Sequence, residues 1–194
     1  MEFDFSVLEP QSRYRLLTNF IGPRPIALVT TRSEAGHNNA APMSFFNVFS
    51  HDPPIVVLGI QPKLSGEEKD TMVNIRRTGE FVINMVDMAL SEQMLICGLG
   101  FDNEVDEMSM AQLTAKPCSK IDASYAAQSP CAFECRVERL IDYPAARWCW
   151  AKWCTCMSIK SASTKRGGMS IPIATSRSPG FTPTTTSPRI ASSF

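Results

Sequence analysis

The sequence predicts a mainly β protein, a small barrel with helical additions. Three observations lead there. Apolar runs of strand length recur between turn-forming residues, as in Ile26–Thr31, Ile55–Ile60 and Glu80–Val86. The run Ala132–Ile141 alternates apolar and polar residues, the pattern of a half-buried strand. Helical spacing appears only in three short stretches.

Taken in order, residues 9–19 carry Tyr14, Leu16 and Leu17 after Pro10 and read as a short leading helix. Gly22-Pro-Arg-Pro25 is a turn, because each proline fixes φ and pushes its predecessor toward extended geometry. Ile26–Thr31 is a buried strand, and Arg32–His37, with Gly36, a hairpin connection. Asn38–Ser50 follows as one strand interrupted by Pro42, and a proline there points to an edge or a bulge. Asp52-Pro-Pro54 ends it, Ile55–Ile60 is the next strand and Lys63–Glu68 a polar loop. Asp70 reads as the N-cap of a helix running to Gly79, a residue suited to the C-terminal position. The strand Glu80–Val86 and a helix over Ala89–Cys97, stopped by Gly98-Leu-Gly100, come next. Residues 101–120 are acidic, then mixed, and read as a surface wrap before the strand Ala132–Ile141.

At 194 residues the chain fits one domain with a sizeable core. Its N-terminus is acidic rather than signal-like, and no apolar run has bilayer-spanning length. Seven cysteines without a C-x-x-C pair then read as reduced thiols in a cytoplasm. Neither His37, His51 nor the cysteine spacings make a metal site, and no G-x-S-x-G nucleophile motif is present. Gly98-x-Gly100 follows a helix rather than a strand, so it is no dinucleotide fingerprint.

Two stretches carry binding chemistry. Asn38–Ser50 mixes small residues, hydroxyls, amides and aromatics without a charge, a composition that lets backbone and short side chains approach a flat aromatic ligand. Lys69-Asp70-Thr71 opens a helix, where free N–H groups and the helix dipole favour an anion. A lysine before the turn and a threonine hydroxyl within it complete a phosphate clamp; the plainer alternative is a capped surface helix with a solvated lysine. No acid, base or nucleophile stands out. That suits a protein whose cofactor carries the chemistry.

With these residues laid out, the chain resembles the flavin reductase-like, FMN-binding split-barrel family. The segments that carry the likeness are Arg24-Pro-Ile-Ala-Leu-Val-Thr-Thr31, Asn39-Ala-Ala-Pro-Met-Ser-Phe-Phe-Asn47, Ser50-His-Asp-Pro-Pro54, Lys69-Asp-Thr71 with Asn74-Ile75, and Thr78-Gly-Glu-Phe81 with Asn84. Five segments in the right order, over residues of about 10–145, make it specific. The resemblance implies a homodimer of split β-barrels with FMN near the subunit interface. It also implies hydride transfer from NADH or NADPH to flavin, with a separate monooxygenase as a partner for many members; others are known only as FMN-binding proteins, and a non-enzymatic FMN-binding or electron-carrier protein is the alternative. No catalytic side chain, metal, nucleic acid or membrane enters. Carried over, Ala41, Pro42, Met43, Ser44, Phe45 and Asn47 line the isoalloxazine and ribityl chain, with one of Phe45 and Phe46 facing the flavin. Lys69, Asp70 and Thr71, with Ser50, hold the phosphate end, and Arg24 and Thr30 border the pocket.

The resemblance stops near Arg147, which sets a domain of residues 1–147 against a tail of 148–194. The first part carries 19 acidic and 13 basic residues; the tail has no Asp or Glu and six Lys or Arg. Beyond residue 156, 22 of the last 38 residues are Ser, Thr, Pro or Gly, a composition that does not offset ordering entropy. Trp148-Cys-Trp-Ala-Lys-Trp-Cys-Thr-Cys156 fits no strand pattern. Tryptophan and cysteine codons force much of the neighbouring frame. One nucleotide earlier, Trp148–Thr155 reads Val-Leu-Gly, then Glu, Lys or Gln, then Val or Met, then Val, then His or Tyr. With permitted codons Met169–Thr186 reads Val-Asp-Pro-Asp-Arg-Tyr-Gln-Pro-Ile-Ala-Arg-Leu-His-Ala-Asp-Asn-Tyr-Ile, an ending similar to the family's. The tail is thus expected to be a frameshift product, poorly ordered, with weakened FMN binding.

Overall fold

A computed structural model describes residues 2–63, 65–143 and 146–159, with backbone alone for 146–148, 150 and 153–159. All of them fall within one compact unit, Met1–Ala162. A helix α1 (Pro10–Phe20) leads into the strands β1 (Ala27–Arg32), β2 (Asn38–Met43), β3 (Phe46–His51) and β4 (Pro54–Ile60). Helix α2 (Asp70–Thr78) and strand β5 (Glu80–Met85) follow, then a 3-10 turn (Met88–Leu90), α3 (Ser91–Cys97) and α4 (Glu107–Met110). Short strands β6 (Ala115–Pro117) and β7 (Ser124–Ala126) pair with each other, and the long strands β8 (Cys131–Tyr143) and β9 (Ala146–Ile159) complete the described chain.

The main sheet has seven strands in the order β2-β1-β5-β8-β9-β4-β3, all pairs antiparallel. Its two edge strands, β2 and β3, are neighbours in sequence, joined only by Ser44 and Phe45. Flat, six inter-strand spacings would hold those edges roughly 29 Å apart. A two-residue link spans at most about 11 Å. The sheet therefore curls until its edges meet at that link, and the result is a split barrel. Pro42 lies on the edge strand β2, where a missing N–H is tolerated, and the bulge falls between Val48 and Ser50 of β3.

The expected single strand over Asn38–Ser50 is thus two strands at opposite edges, broken at Ser44-Phe45. Sequence periodicity does not see a strand change sheets' edges through two residues. Alternation on β1 sets two cores. Ala27 and Val29 point into the barrel with Met43, Phe46, Leu58, Phe81 and Ile83. Leu28 packs outside with Ala40, Leu90, Met108 and Leu113. Helix α2 buries Met72 and Ile75 in the barrel core and ends at Gly79, whose φ of 68° is the left-handed cap that glycine adopts without a Cβ clash.

Three further expectations change. Asp70 is not the N-cap: Lys69 is, and no side chain caps it. The Asp70 carboxylate sits within the first turn and pairs with Lys63 Nζ, 3.1 Å from Oδ2. Residues 101–120 do not merely wrap the surface. Asp106 accepts from Ser109 N at 2.9 Å to start α4, and Glu107, Met108, Ala111 and Leu113 are buried. The Trp- and Cys-rich stretch does form a strand. It lies in β9, between β8 and β4, with Cys149 and Ala151 fully buried in the barrel core. Large and small residues alternate there with period two, and tryptophan favours strands. The barrel strand therefore crosses the boundary expected at 147/148; the expected disorder of 160–194 concerns residues outside those described.

Candidate functional site

The site grows from the point where α2 meets β2. Its hydrogen-bonded ladder starts with Met72 and Val73 donating to Lys69 O at 2.8 and 3.1 Å. The amides of Asp70 and Thr71 precede that ladder, as first-turn amides do. Between this turn, β2 and the Gly98–Phe101 segment lies a cavity of about 280 Å³, walled by Ala41, Pro42, Lys63, Lys69, Asp70 and Thr71. A smaller space of about 110 Å³ shares Pro42 and Lys69 with it and continues to Met43, Ser44 and Phe45. Eight of the twelve expected site residues thus line two adjoining cavities.

The rim of the smaller space is fixed by close backbone contact. Gly59 N donates to Phe45 O at 2.7 Å, and a Cβ on Gly59 would lie 3.0 Å from Phe45 Cβ. Phe45 also meets Tyr14 edge-on, with ring centroids 6.1 Å apart, and carries the Arg24 guanidinium 5.6 Å from its ring centroid. Phe46, by contrast, is 7% exposed and belongs to the barrel core. Arg24 Nη1 is buried with no hydrogen-bond partner among the described residues. A buried donor of that kind asks for an acceptor.

Beneath the larger cavity runs a buried polar network. Asn74 Nδ2 donates to Thr31 Oγ1 at 3.0 Å, and Thr31 Oγ1 donates to Asn39 Oδ1 at 3.0 Å. Thr71 Oγ1 donates to the same oxygen at 2.9 Å. On its other side, Asn39 Nδ2 donates to Glu107 Oε2 at 2.7 Å, and Ala40 N donates to that oxygen at 2.6 Å. Thr71 therefore has its hydroxyl proton committed inside the protein.

Burial pushes the Glu107 carboxyl up to about 7. The Ala40 and Asn39 donors pull it down, while the charges of Asp70 and Asp106 push it further up. Burial likewise pushes the Cys97 thiol up to about 12, with Glu107 adding to the effect, so that thiol stays protonated. Asp106 lies below the usual carboxylate range: burial opposes this, but donors from Ser109 and Asn38 outweigh it.

Four expected residues lie elsewhere. Thr30 is fully buried on the outer face of β1, donating to Ser124 O at 2.6 Å and accepting from Asn84 Nδ2 at 3.1 Å. Its neighbour Thr31 takes the inward position, because side chains alternate along a strand. Asn47 is exposed on β3 and accepts from Val48 N, and Ser50 accepts from Asp52 N at the strand's end. Arg24 stands behind Phe45 rather than on the cavity wall. The residues missed were Asn39, Thr31, Lys63 and Glu107. For Glu107 a signal existed: Asp106 three residues before Ser109 marks a helix start, and Met108 and Ala111 repeat at helical spacing.

A curled antiparallel sheet whose edge strands are joined by a two-residue link, with a cavity beside its plugging helix, is a split β-barrel of the flavin reductase type. The chain belongs to the family described as flavin reductase like domain, which matches residues 22–165. It is similar to an uncharacterised protein of Halalkalibacterium halodurans, 38% identical over 73% of this chain and 68% of that protein. Among solved structures, the 2-nitrobenzoate 2-nitroreductase NbaA of Pseudomonas fluorescens is 33% identical with a TM-score of 0.74, covering 81% of this chain and 76% of that one. Component B of the nitrilotriacetate monooxygenase of Bacillus cereus is 27% identical with a TM-score of 0.79, covering 82% of each chain.

Proposed function

We propose that the protein is an FMN-binding oxidoreductase that takes reducing equivalents from NADH or NADPH. The observation that carries this is the pair of adjoining cavities, uncharged at Ala41–Phe45 and cationic at Lys69, in a chain of the flavin reductase-like family. The residues present fit the cofactor. Lys69 and the leading amides of α2 are donors for a phosphate, and the small side chains of Ala41 and Ser44 admit a flat ring. Bound there, FMN would supply hydride acceptance, which no side chain provides. The chain's own tasks are to anchor the phosphate at Lys69, hold the Asn39–Pro42 backbone through Asn39 and Glu107, and set the position of Phe45 through Gly59 and Arg24.

The reading extends to a homodimer that passes reduced flavin to a separate monooxygenase. Supporting the dimer, β3 is an edge strand with Val48 50% and Phe49 62% exposed, and α1 buries none of its residues. Such an edge is normally covered. Among the described residues no helix is long and apolar enough to cross a membrane.

Purified protein loaded with FMN is titrated anaerobically with NADH and then NADPH, and its mass is measured by sedimentation. Retention of FMN, bleaching of its visible absorbance and the mass of two chains are expected. Retention without bleaching by either nucleotide points instead to an electron carrier, and failure to retain FMN overturns the reading.

A further inference from the structure

Glu107 forms part of the wall between two spaces. It lines the cavity of about 280 Å³ and also a second one of about 170 Å³, and Asn39 and Asp70 line both as well. It is 8% exposed, and both donors it receives end on Oε2. No described residue donates to Oε1 in those contacts. A neutral acid with its proton on Oε1 still accepts both bonds at the carbonyl oxygen Oε2. Neutralisation therefore removes a charge from the cavity wall without breaking the bonds that hold Asn39 and Ala40.

The groups around it are of both signs. From the α2 side come Asp70, paired with Lys63, then Lys69 and Arg77. The β1–β2 connection brings Glu34 and His37, and the segment before α4 brings Asp102. Cys97 lies on α3 and Asp106 caps the helix of Glu107, while β2 offers only the amides Asn38 and Asn39. Two carboxylates, Glu107 and Asp70, thus share a cavity with Lys63 and Lys69. Asp70 has a cation within 3.1 Å; Glu107 has only neutral donors.

We propose that Glu107 is a positioning residue that takes up a proton when an anionic phosphate enters the cavity, and so makes affinity for the phosphate-bearing ligand depend on pH. This rests on the FMN reading above. A phosphate repels the Glu107 carboxylate and raises its affinity for a proton. The sign follows by linkage: binding is tightest when Glu107 is already protonated and weakens as pH rises through its free-state value, about 7.

The test compares FMN with riboflavin, which lacks the phosphate, by flavin fluorescence quenching from pH 6 to 8, in wild type and Glu107→Gln. The glutamine keeps an acceptor oxygen for Asn39 and Ala40 and mimics the neutral acid. The second ionisation of the FMN phosphate acts on both proteins alike and cancels in the comparison. We expect wild-type affinity for FMN to fall about fivefold more than that of Glu107→Gln across this range, the share of a one-unit pKa coupling that lies between pH 6 and 8, while riboflavin affinity shows no such difference. Calorimetry in two buffers of different ionisation enthalpy should show wild type taking up more protons with FMN than Glu107→Gln does, since the phosphate's own proton exchange is common to both. Parallel FMN profiles in the two proteins overturn the proposal alone. Binding of neither flavin at any pH overturns the FMN reading and this proposal with it.

Discussion

Glu107 is held by forces that pull its proton both ways, and the balance reaches stability as well as binding. Its carboxyl sits at about 7 in the folded chain against an ordinary 4.5. Between those values the folded state holds a proton that the unfolded state releases. Stability therefore falls as pH rises from 4.5 toward 7, and the full deficit persists above. Glu107→Gln escapes it. Thermal unfolding of both proteins should give little difference near pH 5 and a gain for the variant at pH 8, on the order of 1–3 kcal/mol. A difference that stays constant with pH would place the burial cost elsewhere. Asn39 is the counterpart that makes this residue matter. One side chain accepts from Thr31 and Thr71 and donates to Glu107, so the two strands, α2 and α4 are tied through a single amide.

At the level of elements, the link between β2 and β3 carries both the fold and the pocket. Ser44 and Phe45 join the two edges of the sheet, and β4 fixes their position because Gly59 presents no Cβ to Phe45. Gly59→Ala forces a 3.0 Å approach against a backbone-attached carbon, so the link must shift. Overpacking of this kind costs about 1–3 kcal/mol. The expected outcome is a lower denaturant midpoint together with weaker FMN binding. Loss of stability with unchanged affinity would detach Phe45 from the pocket. The same elements show what pattern reading could and could not see. The strands β1, β4, β5 and β8 were legible because their apolar runs are bounded by turns. The split of Asn38–Ser50 was not, since both halves are uncharged and β-compatible. Nor was the choice of Thr31 over Thr30, because adjacent threonines on a strand differ only in the face they take, and neighbours decide that.

For the molecule as a whole, the segment beyond Arg147 raises a question that backbone pairing does not answer. Strand β9 accepts Trp148-Cys-Trp-Ala-Lys-Trp153, but the shifted reading Val-Leu-Gly, then Glu, Lys or Gln, then Val or Met, is equally strand-compatible. The proposal of a frameshift is therefore decided by nucleotides. Sequencing the gene should reveal codons that, read one nucleotide earlier, give Val-Leu-Gly at Trp148–Ala151 and Tyr-Gln-Pro-Ile-Ala-Arg-Leu within Met169–Thr186. A stop codon or unrelated residues in that frame would sink the idea.

By itself the sequence determined the β class, the strands β1, β4, β5 and β8 and the family, because turn residues, apolar runs and segment order are local properties. It also marked Asn38–Ser50 and Lys69–Thr71 as candidate binding stretches, for short uncharged side chains and a helix start are visible without neighbours. Only the tertiary structure decided which edge each half of Asn38–Ser50 occupies and that Thr71 turns its hydroxyl inward. The same is true of Glu107, which lies 68 residues beyond Asn39 and yet completes its hydrogen bonding. Those features depend on contacts between distant segments, made once the sheet curls around its core.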